Sequence, residues 1–374
     1  MRRSRLFALG SLVLLGLLVA RTAGVRADER ERSFLNGLAA NPALSASTTP
    51  ANGDQNPYGV TVVPFGFPGN GTTRPSDILV SNFNNGQNLQ GTGTTIVSVS
   101  PGGAQHVFFQ APAKLAPVGL TTALVALRSG IVIVGNTPTT DGMTDTISAG
   151  SLIFLNGRGQ VLLNLKDAAL QGPWDMTADE RDADEPVLYV SNVLNGTVVR
   201  LQAHIRAGYG GQHVSTDRPV VIGAGFSHRT DPNALVVGPT GLLLTPGGES
   251  LYVADTGNNR VQRLDDVRDG HGSRSAGQTV LAGAPLKGPL ALAWTPFGTI
   301  VASNGDAAGD SATPPNMVVE FEPREHMVVA TRTLDLSGTP GGIFGIAIAR
   351  FAGRTALIFV DDNTATVNVI DLTH

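Results

Sequence analysis

The feature that most constrains this chain is a short pattern that returns six times. Its clearest copy opens with Gly238-Pro239-Thr240-Gly241, continues through Leu242-Leu243-Leu244, and turns at Pro246-Gly247-Gly248. It then runs Leu251-Tyr252-Val253-Ala254-Asp255, turns at Gly257-Asn258-Asn259, and resumes with Val261 to Leu264 before Gln278 to Ala282 closes it. Short runs rich in Val, Leu and Tyr suit strands, and Gly and Asn tolerate the positive φ that tight hairpins demand. The unit therefore reads as four strands joined by turns.

Weaker copies cover nearly all of the chain after its first fifty residues. They open near Tyr58, Val118, Trp174, Leu290 and Phe344, and each has a second apolar run ending in a short polar residue. Those ends are Asn82, Asn136, Asn192, Asn304 and Asp361, with Asp255 in the clearest copy. The intervals between openings exceed the ~40–45 residues of a compact propeller blade, so the pattern implies inserted loops. One such sheet cannot bury its own faces, and six stacked in a ring can. The expected fold is all-β, a six-bladed β-propeller of four-stranded antiparallel blades over residues 56–374. A pair of β-sandwiches would also supply regular strands. It leaves the repeated Gly-Pro openings and the Ser-Asn or Ala-Asp ends unexplained.

The last unit, ending at Val367 to Leu372, holds only three strand-like runs. The segment 28–55 is the expected source of the fourth, from within Phe34 to Ser47, although Phe34 to Ala40 reads equally as a short helix. Closing a ring in this way limits exposed sheet edges.

The string Leu251-Tyr252-Val253-Ala254-Asp255-Thr256-Gly257-Asn258-Asn259-Arg260-Val261 resembles the centre of an NHL repeat. The resemblance implies a six-bladed propeller of the NHL or TolB-like kind. Some similar propellers are zinc-dependent lyases acting on peptide ends, with histidines lining the channel. Others are lactonases or phosphoesterases built around a central divalent ion, with Glu, Asn and Asp facing the channel. Gly172-Pro173-Trp174-Asp175 is slightly similar to the opening motif of the second class.

Residues 1–27 read as a signal peptide. Arg2, Arg3 and Arg5 precede an apolar run from Leu6 to Ala20, and Val25-Arg26-Ala27 offers small residues for cleavage. The run is shorter than the ~20 residues that span a bilayer. The expected address is therefore periplasmic or extracellular, with no membrane span after cleavage. The chain has no cysteine, so thiolate metal sites and disulfides are excluded. Its 26 basic and 30 acidic side chains give no basic excess for nucleic acid to exploit.

In a propeller, loops between second and third strands share one face, here the top, with the connections between blades. Asn82, Asn136, Asn192, Asp255, Asn304 and Asp361 would then form a polar ring near the top, the candidate ligand-binding residues. Such side chains also bond nearby backbone and favour turns, which is the competing reading. Insertions at Phe83 to Thr94, Thr137 to Gly150, Ser227 to Val237 and Gly305 to Asn316 enlarge the same face. On the bottom, Arg206 to Arg218 reads as a surface loop.

Catalytic chemistry is harder to place. His106, His204, His213, His228, His271, His326 and His374 show no ligand spacing. No Gly-x-Ser-x-Gly elbow occurs, and no phosphate-binding glycine loop with its lysine. No resident cofactor is expected. Calcium is the one ion left open, through Asp255 and Asp361 or through Asp306 and Asp310, since it accepts loosely arranged oxygens. The apolar openings at Tyr58, Val118, Trp174, Leu290 and Phe344 predict a plugged channel. The expected function is a monomeric binding module holding a protein, peptide or glycan on its top face, with no catalytic centre. The alternative is a divalent-metal hydrolase or lyase, lactonase-like.

Overall fold

The computed structural model describes residues 33–69, 71–208, 211–270, 274–306 and 316–373. The expected signal peptide lies outside these residues. Six antiparallel sheets follow one another as the blades of a β-propeller. Blade 1 is Gln55–Val62, Ile78–Asn84, Thr95–Val99 and Gln105–Gln110, and blade 2 is Leu120–Ala126, Val132–Asn136, Ser151–Leu155 and Val161–Leu165. Blades 4 and 5 repeat the plan from Pro239–Leu244 and Pro289–Trp294.

The second strands show why the sequence reads as apolar runs rather than as alternation. Ile78–Asn84, Val132–Asn136, Leu251–Asp255 and Ile300–Asn304 are buried at every residue. Each blade has a neighbour on both faces, so neither side of an inner strand meets water. The outer strands alternate or are half-exposed, as at Val161–Leu165.

Blade 6 is completed from the front of the chain. Leu44–Ser47 pairs with Thr366–Asp371, with Leu44 opposite Val369 and Ser47 opposite Thr366. The preceding residues form a turn at Phe34 to Gly37, not a strand, and Leu38 makes a single bridge to Leu372. This turn is fastened to blade 5 by Glu320, which is fully buried. The Glu320 carboxylate accepts from Ser33 Oγ at 2.7 Å, Phe34 N at 3.1 Å, Leu35 N at 3.0 Å and Thr299 Oγ1 at 2.6 Å. Four donors satisfy a charge that would otherwise be very costly to bury. Arg332 adds bonds to the carbonyls of Leu38, Ala39 and Ala40.

Blade 3 departs from the plan. Its third strand, Thr197–Gly208, is long, and its first half pairs with Val220–Ala224 while its second half pairs with Gly211–Thr216. The Arg206 to Arg218 stretch is thus an extended hairpin rather than a surface loop. The period-two burial of Leu201, Ala203 and Ile205 against Gln202, His204 and Arg206 carries the strand past the blade edge.

Replacing Glu320 with Ala leaves four donors without an acceptor, at about 1–3 kcal/mol for each that water does not reach. The expected result is a clearly lower melting temperature, and protease cleavage between Phe34 and Ser47 under conditions that leave the parent chain intact. Thermal melts and mass mapping of the fragments check it.

Candidate functional site

The sequence-predicted ring falls where the topology requires, at the top of the six second strands. All six side chains are buried, none more than 6% exposed. The amides and the carboxylates, however, are used differently. Asn136 Oδ1 accepts from Gly119 N at 2.8 Å, and Asn192 Oδ1 accepts from Gln171 N at 3.0 Å. Asn192 Nδ2 donates to Ala169 O, Asn304 Nδ2 to Pro285 O and Asn82 Nδ2 to Thr48 O, each at 2.9 Å. In every case the partner lies in the connection arriving from the previous blade. The four amides are latches that hold each incoming connection against its blade.

A carboxylate can accept as these amides do but has no N–H for the bonds that Asn82, Asn192 and Asn304 donate. Asp255 instead faces its own turn, accepting from Arg260 Nε at 2.8 Å and Asn258 Nδ2 at 2.9 Å. The positive φ of that turn falls on Asn259. At blade 6 the latch is Asn316, whose Oδ1 accepts from Gly342 N at 2.9 Å. Asp361 is left with one buried oxygen that has no partner. Burial pushes its carboxyl up, and the nearby Asp335 adds to the effect.

The axis itself is filled, as the apolar openings at Tyr58, Trp174, Leu290 and Phe344 predict, whereas Val118 packs between blades 1 and 2 instead. Tyr58 stacks on Phe344 at 3.9 Å and on Phe83 at 4.6 Å between ring centroids, and Trp174 meets Tyr58 and Phe83 edge-on. The connection from blade 3 to blade 4 adds a cap. Arg229–Asp231 and Leu235–Val237 form a hairpin whose Leu235 and Val236 join the same buried cluster. At the hairpin tip, the Asn233 carbonyl accepts from Gln90 Nε2 at 3.3 Å, bridging to the blade 1 insertion.

Between this cap and the aromatic plug lies a hollow of about 180 Å³. Tyr58, Trp174 and Phe344 give its apolar lining, and Asn56, Asp306 and Asp362 its polar lining. Among the described residues no Lys, Arg or His borders it. With its amide turned so that both ends are satisfied, Asn56 donates to the two Asp362 oxygens at 3.0 and 3.2 Å and accepts from Asn84 at 3.1 Å. Burial, with Asp361 next door, pushes the Asp362 carboxyl up to about 7. Burial and the carboxylates of Asp362 and Asp306 hold the Tyr58 phenol well above its ordinary value.

The hollow draws on blades 1, 3, 5 and 6 and on the cap. The sequence reading placed Tyr58, Trp174 and Phe344 in the plug and Asp306 in a top loop, and it missed Asn56 and Asp362. The available signal was the Asp361-Asp362 doublet, since Phe83, Thr137, Val193, Thr256 and Gly305 hold the corresponding place elsewhere. Asp310 and His271 lie outside the described residues. Among the described residues no three His, Asp or Glu side chains converge as a metal-holding group. Other hollows of about 460 and 530 Å³ lie at the rim of blade 2, where Asn136 contributes, and beside the blade 3 hairpin. Neither is lined by an aromatic side chain.

Another perturbed acid, the half-buried Asp175, lies on the first strand of blade 3. Asp175 accepts from Leu242 N at 3.0 Å and from Met176 N at 2.8 Å, yet burial pushes its carboxyl up to about 7.

No family model and no curated protein matches the chain. Among solved structures it is similar to a structural-genomics protein of unknown function from Bacteroides thetaiotaomicron, at 11% identity and a TM-score of 0.51. The match covers 89% of this chain and 74% of that one. At this identity the likeness is one of fold.

Two outcomes follow for stability. Asp175 and Asp362 bind protons more tightly folded than unfolded, so stability falls as pH rises from about 4 to about 7 and then levels. Asp175→Asn is expected to melt above the parent at pH 8, with the difference vanishing near pH 4. Melting curves across that range check it. Asn192→Leu, which breaks a latch, is expected to cost about 1–3 kcal/mol in denaturant titration.

Proposed function

We propose that the chain is an exported binding module that takes its ligand at the axial hollow on the top face. The observation that carries this reading is the hollow itself, where aromatic rings and acidic and amide side chains from separate blades meet beneath a hairpin cap. A concave site in which polar groups converge beside aromatic walls is a form that ligand pockets take. The titration of Asp362 supports it, because perturbed carboxyls concentrate at functional sites.

The Leu251 to Val261 string supports kinship with NHL-type propellers, and the basic and apolar residues before Ala27 support export. The described residues contain no helix long and apolar enough to cross a membrane. The partner is a peptide, protein or glycan that presents a small group to the hollow. The metal-hydrolase reading has less support, since Asp255 is engaged by Arg260 and the inner strands meet the axis with apolar side chains.

Asn233 is exposed at the mouth, so Asn233→Trp blocks entry without touching the plug. In a thermal-shift screen of peptides and glycans, a true ligand is expected to raise the melting temperature of the parent and not of this variant. A ligand that stabilises both equally would place binding elsewhere on the disc.

A further inference from the structure

We infer that the axial hollow is selective for organic cations, an ammonium group carried on a short alkyl stem. The inference rests on the proposed binding role and adds the chemistry of the bound group. Tyr58, Trp174 and Phe344 line the hollow with Ala234, Val236 and Pro340. Phe83 and Phe344 stack on Tyr58, so Trp174 and Phe344 are the rings left to attract a cation through their negative quadrupole. The Asp362 carboxyl stands at the same hollow, held by Asn56, and among the described residues no Lys, Arg or His lies within ion-pair distance of it. Asp306 lines the opposite strand end from blade 5. The next residue back from Asp362, Asp361, is 6% exposed and keeps a buried oxygen without a partner, which deepens the negative potential.

Size narrows the class. About 180 Å³ is below the ~300–1,000 Å³ of pockets for drug-sized ligands and suits a small group, such as trimethylammonium or the end of a lysine side chain. A bare metal ion would use the carboxylates and leave the aromatic wall without a role. An alkylammonium meets both, its charge against Asp362 and its methyl or methylene groups against the rings.

The groups facing Asp362 make the binding pH-dependent. They are Asp361 on its own strand, Asp306 from blade 5 and Tyr58 from blade 1, with Asp335 beyond Asp361. All are acids, so Asp362 is partly protonated near neutrality in the empty hollow. A bound cation stabilises its charged form, so binding expels that proton and strengthens as pH rises.

The test is calorimetric titration of the whole exported chain with choline, n-butylammonium and 3,3-dimethylbutan-1-ol, the last being choline's shape without its charge. At least one cation is expected to bind at pH 8, at least tenfold more tightly than the neutral alcohol and more weakly at pH 5.5. Asp362→Asn, which keeps the shape and removes the charge, is expected to weaken that cation about tenfold and to flatten the pH dependence. Asn233→Trp is expected to abolish binding, and its melting curve verifies that it folds. Equal binding of the neutral alcohol, absence of any cation binding at millimolar concentration, or displacement of the cation by calcium alone would each overturn the inference. If a neutral ligand is lost in Asn233→Trp, the cation inference fails and the binding role stands. If cations bind Asn233→Trp unchanged, both fail.

Discussion

The structure depends on hydroxyls and a carboxyl that tie the inner strands of blades 1 to 6 one to the next around the axis. Ser81 Oγ donates to Thr121 O at 2.7 Å, Thr121 Oγ1 to Pro173 O at 2.8 Å, and Ser303 Oγ to Phe344 O at 2.7 Å. Thr240 Oγ1 reaches Leu290 O at 2.9 Å, and between blades 3 and 4 the Asp175 carboxyl accepts from Leu242 N. The inner strands bulge just past their openings, between Pro57 and Gly59, for example, and between Pro289 and Leu292. A bulge withdraws backbone groups from the ladder. The hydroxyls take them up, as when Gly59 N and Ala291 N donate to Ser81 and Ser303. Between blades 6 and 1 close approach replaces the bond, because a Cβ on Gly345 would lie 2.4 Å from the Tyr58 carbonyl oxygen.

This stitching explains the Ser-Asn dipeptide that recurs at the second-strand ends. At blades 1 and 5 its serine ties the blade forward to the next inner strand. At blade 3 Ser191 accepts from Asp175 N of its own inner strand, and the Asp175 carboxyl reaches forward to Leu242. In all three the asparagine ties the blade back to the connection it receives. Where blade 2 has Gly135 and blade 4 has Ala254, threonine on the inner strand supplies the hydroxyl from the other side, at Thr121 and Thr240. The chemistry is kept while the residue that carries it changes strand. Between them, the two bonds set the spacing and tilt of the blades, and so the width of the axis that the aromatic rings fill.

How much of this was legible follows from the range of each interaction. Strand number, order and the polar ring are local patterns, and a single repeat such as Leu251 to Val261 displays them. The aromatic plug was readable too, because it occupies equivalent places in three of the repeats, at Tyr58, Trp174 and Phe344. The hollow was not, since Asn56, Asp306 and Asp362 stand at non-equivalent places in three blades, and only closure of the ring brings them together. The blade 3 hairpin was missed for another reason. Its alternation continues an ordinary strand, and nothing local marks where the sheet's neighbour gives out.

Ring closure also sets how the molecule bears load. Leu44–Ser47 and Thr366–Asp371 run antiparallel, and Leu44 lies opposite Val369, so the two chain ends leave the blade from the same side. Tension between them would peel this pair open one rung at a time instead of shearing all its bonds at once. The Ser33 to Leu35 turn on Glu320 and the Leu38 bridge stand ahead of that seam. The fastening to blade 5 is therefore the part that resists first, and a tether attached at the chain ends would pull on a buried carboxylate before it pulled on a sheet.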